Sequence, residues 1–255
     1  MKAGELLKDI FSKKTVHDSL GKEYRLDSNI DEEEGAFLVK LIRENKVKNT
    51  IEVGCAYGIS SLFICSELEN TPGAHHTIID PCQTSDFNNI GVSNLEKANI
   101  DFFEIHEELS EIMLPKLVSA GKKYDFCFID GDHKFENTLM DFYYLDKLIN
   151  VGAIIVIDDI GIPAINRMMR YVLNFPAYKQ IGHVKAKRSV KREIFDTIIK
   201  GPFSLFARLL PHKLKYEIFS GSIIQSNKKL NLNSSMVALQ KIKEDERRWD
   251  WFKEF

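Results

Sequence analysis

Five short apolar runs alternate with stretches of helical periodicity, and that alternation limits the fold more than any other feature of the chain. The runs are "NTIEV" (49–53), "HHTIID" (75–80), "DFFEI" (101–105), "YDFCFI" (124–129) and "AIIVI" (153–157). Segments 31–45, 58–69, 92–99, 110–120 and 134–150 lie between and before them. The first shows the pattern, with acids in its opening turn and Phe37, Leu38, Leu41 and Ile42 at helical spacing. Pro115 lies inside the fourth and is a local obstacle to a regular helix. Strands alternating with helices predict a mostly parallel sheet covered on both faces. The unbroken run at 153–157 suits a strand buried on both sides. At 255 residues, 44% hydrophobic and 28% charged, the chain has the size and balance of one globular domain with an appendage. Its net charge of -2 supplies no global field for nucleic acid, which is not an expected partner.

Cys55, Cys65, Cys82 and Cys127 form no C-x-x-C pair and no zinc-type spacing, which predicts reduced thiols and a cytoplasmic setting. "MKAGELLKDIFSKK" lacks the apolar core of a signal peptide, and no apolar run is long enough to span a bilayer.

The last third changes character. Strand-like patterns near 178–186 and 235–245 bracket a basic stretch. Residues 185–229 carry a local net charge of +8 in a chain whose total is -2. Within it, Lys200, Phe203, Phe206, Arg208, Leu209, Leu210 and Lys213 mix basic and apolar side chains, cut by Gly201, Pro202 and Pro211. A substrate lid, a contact between copies and a peripheral membrane helix all suit that mixture, as does an amphipathic cap on the core. The ending "RRWDWFKEF" is rich in aromatics and is expected to pack down.

Two sets of residues carry chemistry. "IEVGCAYGIS" follows the first strand and opens a helix. Gly54 and Gly58 let the backbone turn sharply and approach a ligand, and the helix start behind them offers free N–H groups. A dinucleotide fingerprint needs glycine at the position of Ala56, so NAD is disfavoured. Asp80 ends the second strand, where an acid suits the hydroxyls of a ribose. A tight strand–helix turn and a capping aspartate are the plain alternatives. The second set is Asp130, Asp132 and His133 in "IDGDH", with Asp158 and Asp159 in "IDDI". Neighbouring strand ends of an open parallel sheet face one crevice, so these carboxylates are expected to converge. They repel unless a cation lies between them, and a hard divalent ion with oxygen ligands answers that need. His133 titrates near neutrality and suits a general base. Helix capping by Asp132 or Asp159, and a surface role for His133, are the alternatives.

In these stretches, with "LPKL" and "GAIIVIDDI", the chain resembles the class I S-adenosylmethionine-dependent methyltransferases over about residues 28–162. It resembles most the bacterial metal-dependent O-methyltransferases that act on macrolide sugars, and more distantly catechol O-methyltransferase. The resemblance implies a Rossmann-like, seven-stranded sheet closed by two antiparallel strands, with a basic helical insertion near the C-terminus. It divides the chain into a candidate substrate cap (1–30), a cofactor-binding core (31–186), the insertion (187–232) and a last strand with tail (233–255). It implies that Gly54, Ala56, Gly58 and Ser60 hold the methionine end of S-adenosylmethionine, with Glu52 organising the loop and the cofactor's amino group. Asp80 then binds the ribose, Leu109 and Ser110 lie near the adenine, and Gly131 lets the chain pass close to the cofactor. Asp130, Asp158 and Asp159 bind Mg²⁺ or another divalent ion, and His133 is the base, where the catechol type has lysine. The implied activity is methylation of a hydroxyl on a small molecule such as a sugar. Metal-independent N- or O-methylation and a membrane-recruited, non-catalytic cofactor binder are the alternatives. Assembly with a second copy is a further candidate.

Overall fold

The computed structural model describes residues 1–187 and 221–255, with scattered positions between 203 and 219. Seven strands form one sheet in the order β5-β4-β3-β6-β7-β9-β8. In chain order they are β3 (Asn49–Val53), β4 (His75–Ile79), β5 (Phe103–His106), β6 (Tyr124–Ile129), β7 (Ile149–Ile157), β8 (Tyr178–Lys185) and β9 (Ser234–Lys241). The five strands read as apolar runs are parallel, and β9 then pairs antiparallel with both β7 and β8. The order runs outward from β3 in both directions, so a crevice opens at the C-terminal ends of β3 and β6.

Alternation along the strands divides the core. On β6, Phe126 and Phe128 face a cluster with Leu6, Leu38, Leu62 and Leu95, from α1 (Ala3–Lys13), α2 (Glu32–Glu44), α3 (Ile59–Leu68) and α4 (Ile90–Lys97). Cys127 and Ile129 face the other side. There α5 (Ser110–Ser119), α6 (Phe135–Leu148) and α7 (Pro163–Val172) supply Leu114, Phe142 and Met168. Asp31 starts α2 by accepting from the N–H groups of Glu33 and Glu34, and Glu34 reaches back to the Asp31 N–H. Helix α5 continues through Pro115, anchored by buried Leu114 and Leu117.

Three differences from the sequence reading stand out. Residues 1–30 are more than a cap: α1 buries Ala3, Leu6, Leu7 and Ile10 in the core, and a hairpin of β1 (Thr15–His17) and β2 (Glu23–Arg25) follows. Strand β7 begins at Ile149, before the apolar run, because Tyr124 pairs with Ile149 ahead of a bulge between Tyr124 and Phe126. The helix after "IDDI" is capped by Ile162 with Pro163 in its first turn, not by Asp159. Most of the basic insertion lies outside the described residues, the candidate amphipathic positions Lys200, Arg208 and Lys213 included. Its described end docks on the core: Leu232 is buried, and Arg170 donates to the Gln225 carbonyl and to Asn227.

Candidate active site

Asp80, Asp130 and Asp158 each stand one residue beyond a parallel strand. The Asp130 N–H donates to Val53 O (2.9 Å), Asp158 N–H to Ile129 O (3.0 Å) and Asp80 N–H to His106 O (3.1 Å). The ladder therefore fixes their backbones while their side chains leave the sheet. Gly54 N–H donates to Ile79 O at 2.9 Å in the same way.

The glycine loop is built around close backbone contact. Gly54 has φ +90°, and a Cβ there would lie 2.0 Å from the Asp130 carbonyl oxygen. Gly58 has φ +75° and faces the Gly91 backbone, with 2.8 Å between a would-be Cβ and Gly91 O. Ala56 is also left-handed, at φ +48°. Asp80 holds this turn together. Its Oδ2 accepts from Cys55 N–H (2.9 Å), Ala56 N–H (2.8 Å) and Gln83 Nε2 (3.0 Å), and its Oδ1 accepts from Cys82 N–H (2.8 Å). Gln83 also donates to the Ala56 carbonyl at 2.7 Å. Asp80 thus clamps the loop, and only Oδ1 keeps clear accepting capacity toward the pocket.

Glu52 is fully buried on β3 and serves α3 from below. It accepts from Ser60 Oγ at 2.9 Å and from Ser61 Oγ. His76 Nε2 lies 3.2 Å from Glu52, and His76 Nδ1 lies 2.8 Å from Thr50 Oγ1. Each imidazole nitrogen of His76 therefore lies within hydrogen-bonding distance of a polar partner.

Above the loop is a cavity of about 400 Å³. Gly54, Ala56, Ser60, Asp80, Leu109, Ser110, Asp130 and Gly131 line it. Glu52 and Gly58 do not line it; one supports the loop from inside the core and the other forms its turn. The sequence reading lacked Ser28, Asn29, Ile30, Pro81, Cys82, Phe87, Glu111 and Asn137, which also line the cavity.

At one rim the acids meet His133. Its Nε2 lies 3.0 Å from Asp159 Oδ2 and 3.7 Å from Asp130 Oδ1. Asp130, His133 and Asp159 each offer a ligand atom within 4.8 Å of the others. Asp158 is buried and lies in the field of Asp130, Glu34 and Asp159, but it is not part of that close group. Asp132 turns away, accepting from Lys134 Nζ and Asn137 Nδ2, both at 2.8 Å. Burial, and then Asp159, push the Asp130 carboxyl up to about 6 against the opposing pull of His133. Burial and then Asp130 push Asp158 well above the carboxylate range. Hydrogen bonds to Asp130 and then Asp159 raise His133 to about 10. The cluster therefore lacks positive charge, and the imidazolium of His133 supplies it. Two carboxylates and an imidazole at ligand distance fit a divalent cation.

Residues 51–160 match a domain family described as a methyltransferase domain. The chain is 31% identical over 173 residues to tapetum-specific methyltransferase 1 of Arabidopsis thaliana, an alignment covering 67% of this chain and 68% of that protein. The chain belongs to the S-adenosylmethionine-dependent methyltransferases. Caffeoyl-CoA O-methyltransferase 2 of Petunia hybrida is 31% identical over 131 residues, covering 50% of the methyltransferase described here and 52% of the plant protein. The chain spans between 52% and 68% of the length of the curated relatives it matches. In fold, the methyltransferase is similar to an O-methyltransferase from Bacillus cereus solved with SAH, with a TM-score of 0.56 and 19% identity. That likeness covers 72% of this chain and 84% of the other.

Proposed function

We propose that this methyltransferase moves the methyl group of S-adenosylmethionine to a hydroxyl of a small molecule, such as a sugar, with a divalent cation held by the Asp130 and Asp159 carboxylates beside His133. The observation that carries the reading is the double membership of Asp130, which lines the cofactor-sized cavity and also belongs to the acid–histidine cluster. Cofactor and acceptor would then meet at one carboxylate, as in-line transfer requires.

The cofactor supplies a methyl carbon on a sulfonium, whose sulfur leaves as a neutral thioether. The cation supplies Lewis acidity that lowers the pKa of an acceptor hydroxyl. The chain's residues do the rest. Gly54 and Gly131 keep the cavity wall bare of side chains. Asp80 and Gln83 hold the loop, and the free capacity of Asp80 Oδ1 suits a ribose hydroxyl. Leu109 and Ser110 offer the wall for the adenine. Asp158, beside Asp130, is held toward its neutral form by burial and by Asp130, and a bound cation would favour its ionised form. With the cofactor bound, its sulfur would leave as the acceptor oxygen took the methyl carbon, and His133 Nε2 would be the group that takes the hydroxyl proton. In the bare cluster that nitrogen is already protonated at neutral pH, so His133 becomes a base only when another positive charge satisfies Asp130 and Asp159.

Calorimetry with S-adenosylmethionine and a turnover assay with and without chelator test the reading. Cofactor binding is expected to survive His133→Ala while turnover falls at least about 100-fold. Full activity in excess chelator would sink the cation's part, and a wild-type chain that binds no S-adenosylmethionine would sink the whole.

A further inference from the structure

We propose that His75, Glu104 and His106 form a second metal site, for a borderline transition ion such as Zn²⁺ or Ni²⁺, on the edge pair of strands β4 and β5. The parallel register sets Thr77 opposite Glu104 and Ile79 opposite His106. Side chains two apart on a strand share a face, so His75, Thr77, Glu104 and His106 project to the same side. Both imidazoles turn toward one oxygen: His75 Nε2 lies 3.4 Å from Glu104 Oε1 and His106 Nε2 lies 3.8 Å from it.

That oxygen is held in place. Thr77 Oγ1 donates to Glu104 Oε1 at 3.1 Å, and the Tyr124 hydroxyl donates to Thr77 Oγ1 at 3.3 Å. The carboxylate thus has the supporting partners that orient a metal ligand. His106 Nε2 is shielded from solvent, has no hydrogen-bond partner among the described residues, and faces Glu104 from beyond hydrogen-bonding range. A nitrogen in that position lacks a partner that an ion would provide. Ligand atoms ~2.0–2.1 Å from a tetrahedral Zn²⁺ stand ~3.4 Å apart, the spacing already present between His75 and Glu104. The two imidazoles do not stand within 4.8 Å of each other, so ligation would require the His106 ring to turn toward His75. The side chains of His75, Glu104 and His106 are 41%, 35% and 27% exposed, so the cluster lies at the surface and the same turn of the His106 ring would open its shielded Nε2 to an ion; neither histidine belongs to the apolar core.

Two imidazoles and one carboxylate select against Mg²⁺, which prefers oxygen ligands. None of the three residues belongs to the Asp130–His133–Asp159 group. Ligation would tie β4 to β5, the terminal strand of the sheet, and so brace an otherwise open edge.

Equilibrium dialysis of the full chain against Zn²⁺ in excess Mg²⁺ tests the proposal, with Co²⁺ as an absorbing substitute. One equivalent of Zn²⁺ is expected to be retained in His133→Ala. In His75→Ala and in His106→Ala it is expected to bind at least tenfold more weakly, and the visible Co²⁺ bands should lose intensity in step. Zn²⁺ should raise the Tm of wild type and leave that of the double variant unchanged. Glu104→Gln, which keeps the side chain's shape, gives the same reading if a histidine variant does not fold. Wild-type chain that takes up no Zn²⁺ overturns the proposal. So does an equivalent that persists in the double variant, or one lost on His133→Ala alone.

Discussion

Gly54 and Gly73 both have positive φ, +90° and +73°, yet they answer to different constraints. A Cβ at Gly73 meets nothing within 4 Å, whereas one at Gly54 would sit 2.0 Å from a carbonyl oxygen. Gly73→Ala is therefore expected to cost only the backbone preference, about 1–2 kcal/mol. Gly54→Ala adds a clash with the strand that carries Asp130, and should cost at least ~3 kcal/mol together with cofactor binding. Urea midpoints and S-adenosylmethionine calorimetry on the pair check this. An equal cost at both sites would show that the close approach of the two strand ends matters less than backbone strain. Residue type made this loop legible in the sequence, because glycine at a strand–helix junction has few other uses. What it did not disclose is the direction of each polar side chain. Asp80 was expected to face a ribose, yet most of its contacts are to the loop's own N–H groups. That choice depends on Gln83 and on where Cys55 and Ala56 turn, which no single-residue pattern records.

At the level of elements, the strands and helices between residues 31 and 157 follow their hydrophobic periods, with ends shifted by a few residues. Periodicity captures them because each buries one definable face. The missed helix, α1, carries the same signal in Ala3, Leu6, Leu7 and Ile10, but its place in the core depends on α3, far along the chain. Where a local cap does define an end, its worth is measurable. Asp31 satisfies two N–H groups at the start of α2 and also pairs with Lys187 at 2.7 Å. Asp31→Ala should destabilise the protein by about 1 kcal/mol, most of it from the cap, because the exposed ion pair contributes little. A denaturation midpoint shifted as much by Lys187→Ala as by Asp31→Ala would reverse that assignment.

For the whole molecule, one source of pH dependence is a buried carboxyl outside the Asp130–His133–Asp159 group. Asp141 on α6 is buried, with one carboxylate oxygen lacking a hydrogen-bond partner, and burial pushes its carboxyl up to about 6. Between an unfolded pKa near ~3.9 and this value, the native state binds more protons than the unfolded state. Stability from this group is therefore greatest in acid and falls as pH rises through about 6, by roughly 3 kcal/mol in all. Asp141→Asn should remove that decline, so the Tm difference between variant and wild type should grow from pH 4 to pH 7. A constant difference would contradict it. The sheet's last two strands bear on a different question, how such a chain changes over generations. Lys185 and Ser234 are directly paired, and Ala186 N–H donates to Asn233 O, so the basic insertion leaves and re-enters the sheet at adjacent positions. Lengthening a closed loop costs little, about 0.6 kcal/mol for each doubling. The junction is thus a socket: inserts of different length and charge can be exchanged there without rethreading the sheet, and descendants of one catalytic core can acquire new specificities by replacing a single cassette.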